Sequence, residues 1–314
     1  MTISESVDFV SGAPVAADLD VQWIHGSRSA KRNTDPPIQV HACDEHTFVL
    51  RQNKAVNYEA PFLYLFLGND RALLLDTGAT KDPAAFPLRD TVDGILHDWL
   101  AGHPRDSYQL VVAHTHGHND HVAGDSQFDG RPSTTLVPAD QASACSFFGI
   151  SDWPAGIVTF DLGGRVLELT GCPGHDDRSI AVYDPWTGFL ITGDTVYPGR
   201  LFVRDLPAFT ASLERLADFA RARPVTQVLG CHIEMSRSPG RVYPLGATYQ
   251  PDEAALPMTV AQLVAVRDAA RSMAGRTGYR VFGDFAIVSL PSAPTVGRLA
   301  ARGLWWKLRN RLPF

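Results

Sequence analysis

The chain has 314 residues, enough for one large domain or two ordinary ones, because single cores rarely grow past about 250–300 residues. Hydrophobic residues make up 45% and charged residues 20%, a globular balance that excludes wholesale disorder. The net charge of −6 is uneven: residues 298–314 hold Arg298, Arg302, Lys307, Arg309 and Arg311 with no acid, which leaves −11 on the first 297. An acidic body is unsuited to nucleic acid, whose phosphates need a basic face.

Residues 1–40 are polar and proline-containing and read as an irregular lead-in; the run from Met1 to Asp8 lacks the apolar core of a secretory signal. Strand-like runs follow at Thr47–Arg51, Phe62–Leu67 and Ala72–Asp76. Helical spacing of Phe86, Val92, Ile95, Leu96, Trp99 and Leu100 predicts a helix over Pro83–Leu100, closed by Gly102 and Pro104. Leu110–Ala113 reads as a buried strand that runs straight into a histidine cluster. Further strands are expected near Ile157–Phe160, Val166–Thr170, Ile180–Tyr183, Phe189–Thr192 and Gln227–Leu229. Helices are expected at Pro207–Arg221 and Met258–Ala274, and a last strand at Phe285–Leu290. Strand clusters, each followed by helices, predict a layered α/β domain in two similar halves. No Gly/Ser-rich linker divides it, so the main domain is placed at 41–297 and the basic tail at 298–314.

Cys43, Cys145, Cys172 and Cys231 have no C-x-x-C spacing, so no disulfide framework is expected, and a reducing, cytoplasmic setting is the easier reading. No apolar run approaches 18 residues, which excludes a transmembrane helix.

Four of the eleven histidines fall within eight residues, His114-Thr115-His116-Gly117-His118-Asn119-Asp120-His121. Alternate residues at a strand end point the same way, so His116 and His118 can reach one metal ion. Asp120 and His121, where the chain turns into a helix, can face a second. Neutral imidazoles with a carboxylate suit Zn²⁺, and Fe or Mn would also be held.

The pattern His116-Gly117-His118-Asn119-Asp120-His121 resembles the H-x-H-x-D-H signature of the metallo-β-lactamase superfamily. Four further stretches match in family order: Leu74-Leu75-Asp76-Thr77-Gly78, Pro173-Gly174-His175, Thr192-Gly193-Asp194-Thr195 and Gly230-Cys231-His232. The resemblance implies a four-layer αββα sandwich with the site at one edge between two sheets. It implies one metal on His116, His118 and His175, and a second on Asp120, His121 and His232, with Asp194 shared. Asp76 is expected behind the ligands, orienting them; His114, outside the signature, is expected either as a strand-end residue or beside Asp76 behind the ligands. A pair of divalent ions lowers the pKa of a shared water from about 15.7 towards neutrality. The implied activity is therefore hydrolysis of a small acyl ester, thioester or lactone, with two Zn²⁺ per chain and no other cofactor. Asp120 is expected to orient the nucleophile and move a proton. Tyr197, three residues after Asp194, stands where related lactonases hydrogen-bond the substrate carbonyl, although a packing role explains it as well. Asp194 disfavours a true β-lactamase, which lacks the bridging carboxylate. A mononuclear iron persulfide dioxygenase, using the equivalents of His116, His175 and Asp194, is the alternative from another reaction class.

The expected partner is a small-molecule substrate. In the tail, Leu299, Leu304, Trp305, Trp306, Leu308 and Leu312 alternate with cations at helical spacing. A helix docked on its own domain is favoured over membrane contact, and its tryptophans leave a homodimer interface open.

Overall fold

The computed structural model describes residues 5–289 and 297–305. The first half of the chain builds a six-stranded sheet. β1 (Ile38–Asp44), β2 (Thr47–Gln52), β3 (Phe62–Leu67) and β4 (Arg71–Leu75) are antiparallel neighbours in chain order. β5 (Gln109–Ala113) and β6 (Thr134–Leu136) then add in parallel. Parallel pairing needs a crossover, and α1 (Leu88–Gly102) supplies it between β4 and β5. Two short helices come next: α2 (Asn119–Val122) closes the histidine run, and α3 (Gln141–Phe148) follows β6.

The second half supplies β7 (Ile157–Asp161), β8 (Val166–Gly171), β9 (Ile180–Asp184), β10 (Phe189–Ile191), β11 (Arg200–Val203), α4 (Leu206–Arg221), β12 (Gln227–Leu229), α5 (Val260–Ser272), β13 (Gly278–Val281) and β14 (Ala286–Ser289). Five of these strands form a second sheet in the order β12-β10-β9-β8-β7, and β11-β14-β13 form a third, smaller one.

The burial pattern shows why the sequence folds this way. β3 reads Phe-Leu-Tyr-Leu-Phe-Leu, with no polar alternation, because both its faces are covered. Leu63, Leu65 and Leu67 pack with Val92, Leu96 and Trp99 of α1. Phe62, Tyr64 and Phe66 turn the other way and share a core with Leu167, Leu169, Val182 and Ile191 of the second sheet. The far face of that sheet, with Ala181, Tyr183, Leu190 and Val228, packs against Phe209, Leu213 and Leu216 of α4 and Leu263 and Val266 of α5. The layers are helix, sheet, sheet, helix: the αββα sandwich.

One polar tie crosses between the sheets. Arg165, before β8, donates to both Asp184 oxygens at 3.0 and 2.6 Å, to the His46 and Leu67 carbonyls, and to Thr47 Oγ1. Both charges are fully buried.

Several elements depart from expectation. The first helix starts at Leu88 rather than Pro83, because Pro87 sits at its N-cap and Phe86 is buried under it. β1, β6, α3, β11 and β13 were not expected. β1 is a half-exposed edge strand whose polar Gln39 and His41 hide its period. It begins at Ile38, so the boundary expected at residue 40 falls inside a strand. The lead-in is irregular yet packed: Phe9 and Trp23 are buried, and the Trp23 ring meets Phe62 edge-on at 4.9 Å. Of the expected strand Phe285–Leu290, Leu290 lies outside the described residues, as do residues 306–314 of the tail. Among the described residues, no helix is long and apolar enough to cross a membrane.

All four cysteines are free, as expected, and Cys145 alone is not fully buried. Burial pushes the thiols of Cys43 and Cys172 up to about 12. A disulfide reagent that reports released thiolate is therefore expected to titrate one thiol in the native protein and four after denaturation.

Candidate metal centre

The expected site residues come together at one edge of the sandwich because they follow the C-terminal ends of strands. Asp76 follows β4, His116 follows β5, His175 follows β8, Asp194 follows β10 and His232 follows β12. His118 caps the start of α2, which carries Asp120 and His121.

Two groups result. His116 Nε2 and His175 Nε2 lie 2.9 and 3.0 Å from His118 Nδ1, so three imidazole nitrogens converge on one point. Beside them, His232 Nε2 is 3.4 Å from Asp120 Oδ2, and His121 Nε2 is 3.6 Å from the same oxygen. Asp194 spans both groups. Its Oδ1 lies 3.4 and 3.7 Å from His232 and His121, and its Oδ2 lies 3.6 Å from His175.

The donor chemistry fits bound cations. His121 Nε2 and Asp194 Oδ1 are buried and have no hydrogen-bond partner, a costly state that a cation between them would relieve. The other nitrogen of four of the five imidazoles is held from behind, which is how metal-binding histidines are oriented. His121 Nδ1 is 2.8 Å from Asp76, His175 Nδ1 is 2.7 Å from the Phe202 carbonyl, and His232 Nδ1 is 3.1 Å from the Glu59 carbonyl. His116 Nδ1 is 3.2 Å from Thr115 Oγ1.

Electrostatics divides the two groups. Burial holds His116 and His175 below their ordinary range and His118 at about 4, which keeps these imidazoles neutral and able to ligate. In the second group, burial opposes charge on both histidines, but Asp76, Asp120 and Asp194 outweigh it at His121, and Asp194 and Asp120 outweigh it at His232, so both are raised. Burial likewise pushes Asp120 up, yet His121 and His232 hold it at about 2. The carboxylate-rich half thus attracts positive charge, which a divalent ion would supply.

Behind the ligands, Asp76 is fully buried and adopts a positive φ of 69°, a strained conformation that aspartate tolerates better than most residues. It accepts from Thr115 N at 2.7 Å and Thr115 Oγ1 at 2.9 Å, so its carboxylate is fixed before it reaches His121. Gly174 is dictated by space: with φ +136°, a Cβ there would sit 2.3 Å from Phe209 Cα of α4.

His114 stands at the end of β5, one of the two places expected for it, and is buried; its Nε2 pairs with Asp125 Oδ1 at 2.9 Å and braces the loop that also holds Thr77. Tyr197 lines the cavity and packs edge-on against His232 at 5.6 Å, but its hydroxyl donates to the Arg200 carbonyl. In this arrangement its one proton is not aimed at the ligand cluster.

The groups that the sequence did not point out are Asp176, Glu59 and Glu234. Asp176 Oδ2 lies 3.3 Å from His118 Nε2, and Arg178 clamps the same carboxylate with two hydrogen bonds of 2.7 Å. The signal was present, since an acid directly follows His175. Asp176→Asn is expected to weaken metal binding about 10–100-fold in a chelator competition titration. Asp177→Asn, whose side chain is 87% exposed, is expected to leave it unchanged.

The centre opens into a cavity of about 270 Å³ lined by Glu59, Tyr197, Phe202, Val203, Leu245 and five of the ligand residues, with Arg204 and Glu234 beside them. Arg200 is buried and paired with Glu234, so it is part of the wall rather than a contact for substrate.

The model of the metallo-beta-lactamase superfamily matches residues 59–232. The chain is 30% identical over 197 residues to a hydroxyacylglutathione hydrolase of Methylococcus capsulatus, a match covering 61% of this chain and 70% of that one. It is 25% identical to the human acyl-coenzyme A thioesterase MBLAC2, over 54% of this chain and 72% of that protein. In three dimensions it is similar to the DIM-1 metallo-beta-lactamase, with a TM-score of 0.50, 12% identity, and coverage of 76% and 98% of the two chains. That likeness bears on the fold alone. With the family model spanning more than half of its length and the ligand set assembled in one cleft, this chain belongs to the metallo-beta-lactamase superfamily, as one of its metal-dependent hydrolases.

Proposed function

We propose that the chain is a dinuclear zinc hydrolase of small acyl thioesters, with esters and lactones as the neighbouring substrates. The observation that carries this reading is Asp194, whose two oxygens face the two donor groups separately. A carboxylate so placed suits a pair of ions, and both groups have their full set of ligands. The single-iron oxidoreductase alternative leaves Asp120, His121 and His232 without a purpose.

When bound, such a pair of ions supplies hydroxide at neutral pH and polarises the carbonyl under attack. The protein's own residues do the rest. Asp120 reaches the cavity with a 22% exposed, ionised carboxylate, placed to orient the attacking water and accept its proton. Phe202, Val203 and Leu245 give the acyl group an apolar wall, and the small cavity favours a short acyl chain. Water adds across the C–S bond, and the products are a carboxylate and a thiol. The named activities of the hydroxyacylglutathione hydrolase and acyl-coenzyme A thioesterase relatives support a thioester.

Metal analysis coupled to a panel of thioesters, lactones, β-lactams and phosphodiesters tests this reading. The expected result is two zinc ions per chain and fastest turnover on a thioester. One iron per chain, with oxygen consumed on a persulfide, contradicts it.

A further inference from the structure

Residues 297–305 form a helix beside the cavity wall. Its inner face docks tightly. Leu299 is buried, and Gly303 comes so close to the body that a Cβ there would lie 2.0 Å from the Leu245 carbonyl. Leu245 itself lines the cavity, so this helix is fixed at the cavity rim.

The outer face is different. Leu304 and Trp305 are 62% and 60% exposed, more than any other large hydrophobic among the described residues except Val10. Arg298 and Arg302 flank them on the outer side of the helix. Arg302 acts electrostatically on Tyr279 of the edge strand β13, and exposed Val281 stands on the same face of that strand. The sequence that follows adds Trp306, Lys307, Leu308, Arg309, Arg311 and Leu312. Among the described residues of this helix, exposed Leu304 and Trp305 thus stand with exposed Arg298 and Arg302 and no acid, on a body whose first 297 residues carry −11.

We propose that this rim is a lipid-facing surface that docks the protein on an anionic bilayer, with the cavity mouth beside the membrane. The arginines would meet lipid phosphates, Trp305 would sit at headgroup level, and Leu304 would reach the acyl boundary. Charge complementarity selects the orientation. The acidic body is repelled by an anionic surface within a Debye length of about 8–10 Å, so the basic rim is the side that approaches. A nucleic acid would use the cations but leave Leu304 and Val281 in water, which is why the observations favour lipid. The reading is independent of which acyl bond the centre cleaves.

The test is co-sedimentation of the full chain with phosphatidylcholine vesicles, with and without phosphatidylserine. Binding is expected only to the phosphatidylserine vesicles, and it should fall as salt is raised. Replacing both arginines, Arg298→Gln with Arg302→Gln, should weaken it about 25-fold, at about fivefold per cation. Replacing the apolar pair, Leu304→Ser with Trp305→Ser, should weaken it about tenfold or more. Both double variants should keep the parent melting temperature, which separates lost binding from lost folding. Sedimentation with neither vesicle type, or with both alike, overturns the proposal. So does binding that neither double variant weakens, or binding to duplex DNA that the vesicles do not compete away.

Discussion

Asp120→Asn is expected to lower kcat by about 10²–10⁴-fold, the range over which a positioned proton acceptor contributes. The same change should also weaken zinc at the group formed with His121 and His232, because Asp120 Oδ2 stands 3.4 Å from His232 Nε2. His116→Ala should be at least as severe, since His116 is one of the three nitrogens that meet at His118. Steady-state kinetics with metal analysis of each variant checks both. A loss of rate with two zinc ions retained assigns Asp120 to proton handling, and loss of one ion assigns it to ligation as well. Unchanged kcat in Asp120→Asn contradicts the mechanism.

Arg165→Ala should cost about 3–5 kcal/mol, because it leaves Asp184 buried and unpaired and strips donors from two carbonyls of the first sheet. For a protein of this size, that corresponds to a fall of roughly 10 °C in melting temperature. The pair is not required as a pair. Replacing both partners with apolar residues of similar volume, Arg165→Met with Asp184→Leu, should recover most of the loss. Thermal unfolding of the single and double variants decides it. Equal loss in both would mean that the hydrogen bonds to Thr47, His46 and Leu67 matter more than the unpaired charge.

The two predictions differ in how far the sequence could have supplied them. The metal ligands were legible because spacing does physical work there: alternate residues at a strand end share a direction, and five short motifs in fixed order left little freedom. The sandwich layers were legible from fully apolar runs such as β3. Arg165 was invisible, because nothing local distinguishes an arginine in a turn on the surface from one in a turn between two sheets. Its partners lie 19 to 119 residues away. The same holds for Glu59, whose carbonyl meets His232 across 173 residues. Short edge strands such as β13 were missed because four residues, Gly278–Val281, are too few to show an alternation. Tyr197 stood at the right place in the sequence for a catalytic donor, yet three-residue spacing could not reveal that its hydroxyl turns back to Arg200. Side-chain direction after a strand is decided by packing, which pattern alone does not encode.

The central claim is that metal held by this cleft drives acyl hydrolysis. The most direct measurement strips the purified protein with a chelator and follows thioester hydrolysis as zinc is titrated back. Activity should vanish on stripping and return with a break at two equivalents per chain. Full turnover in the metal-free protein would contradict the account.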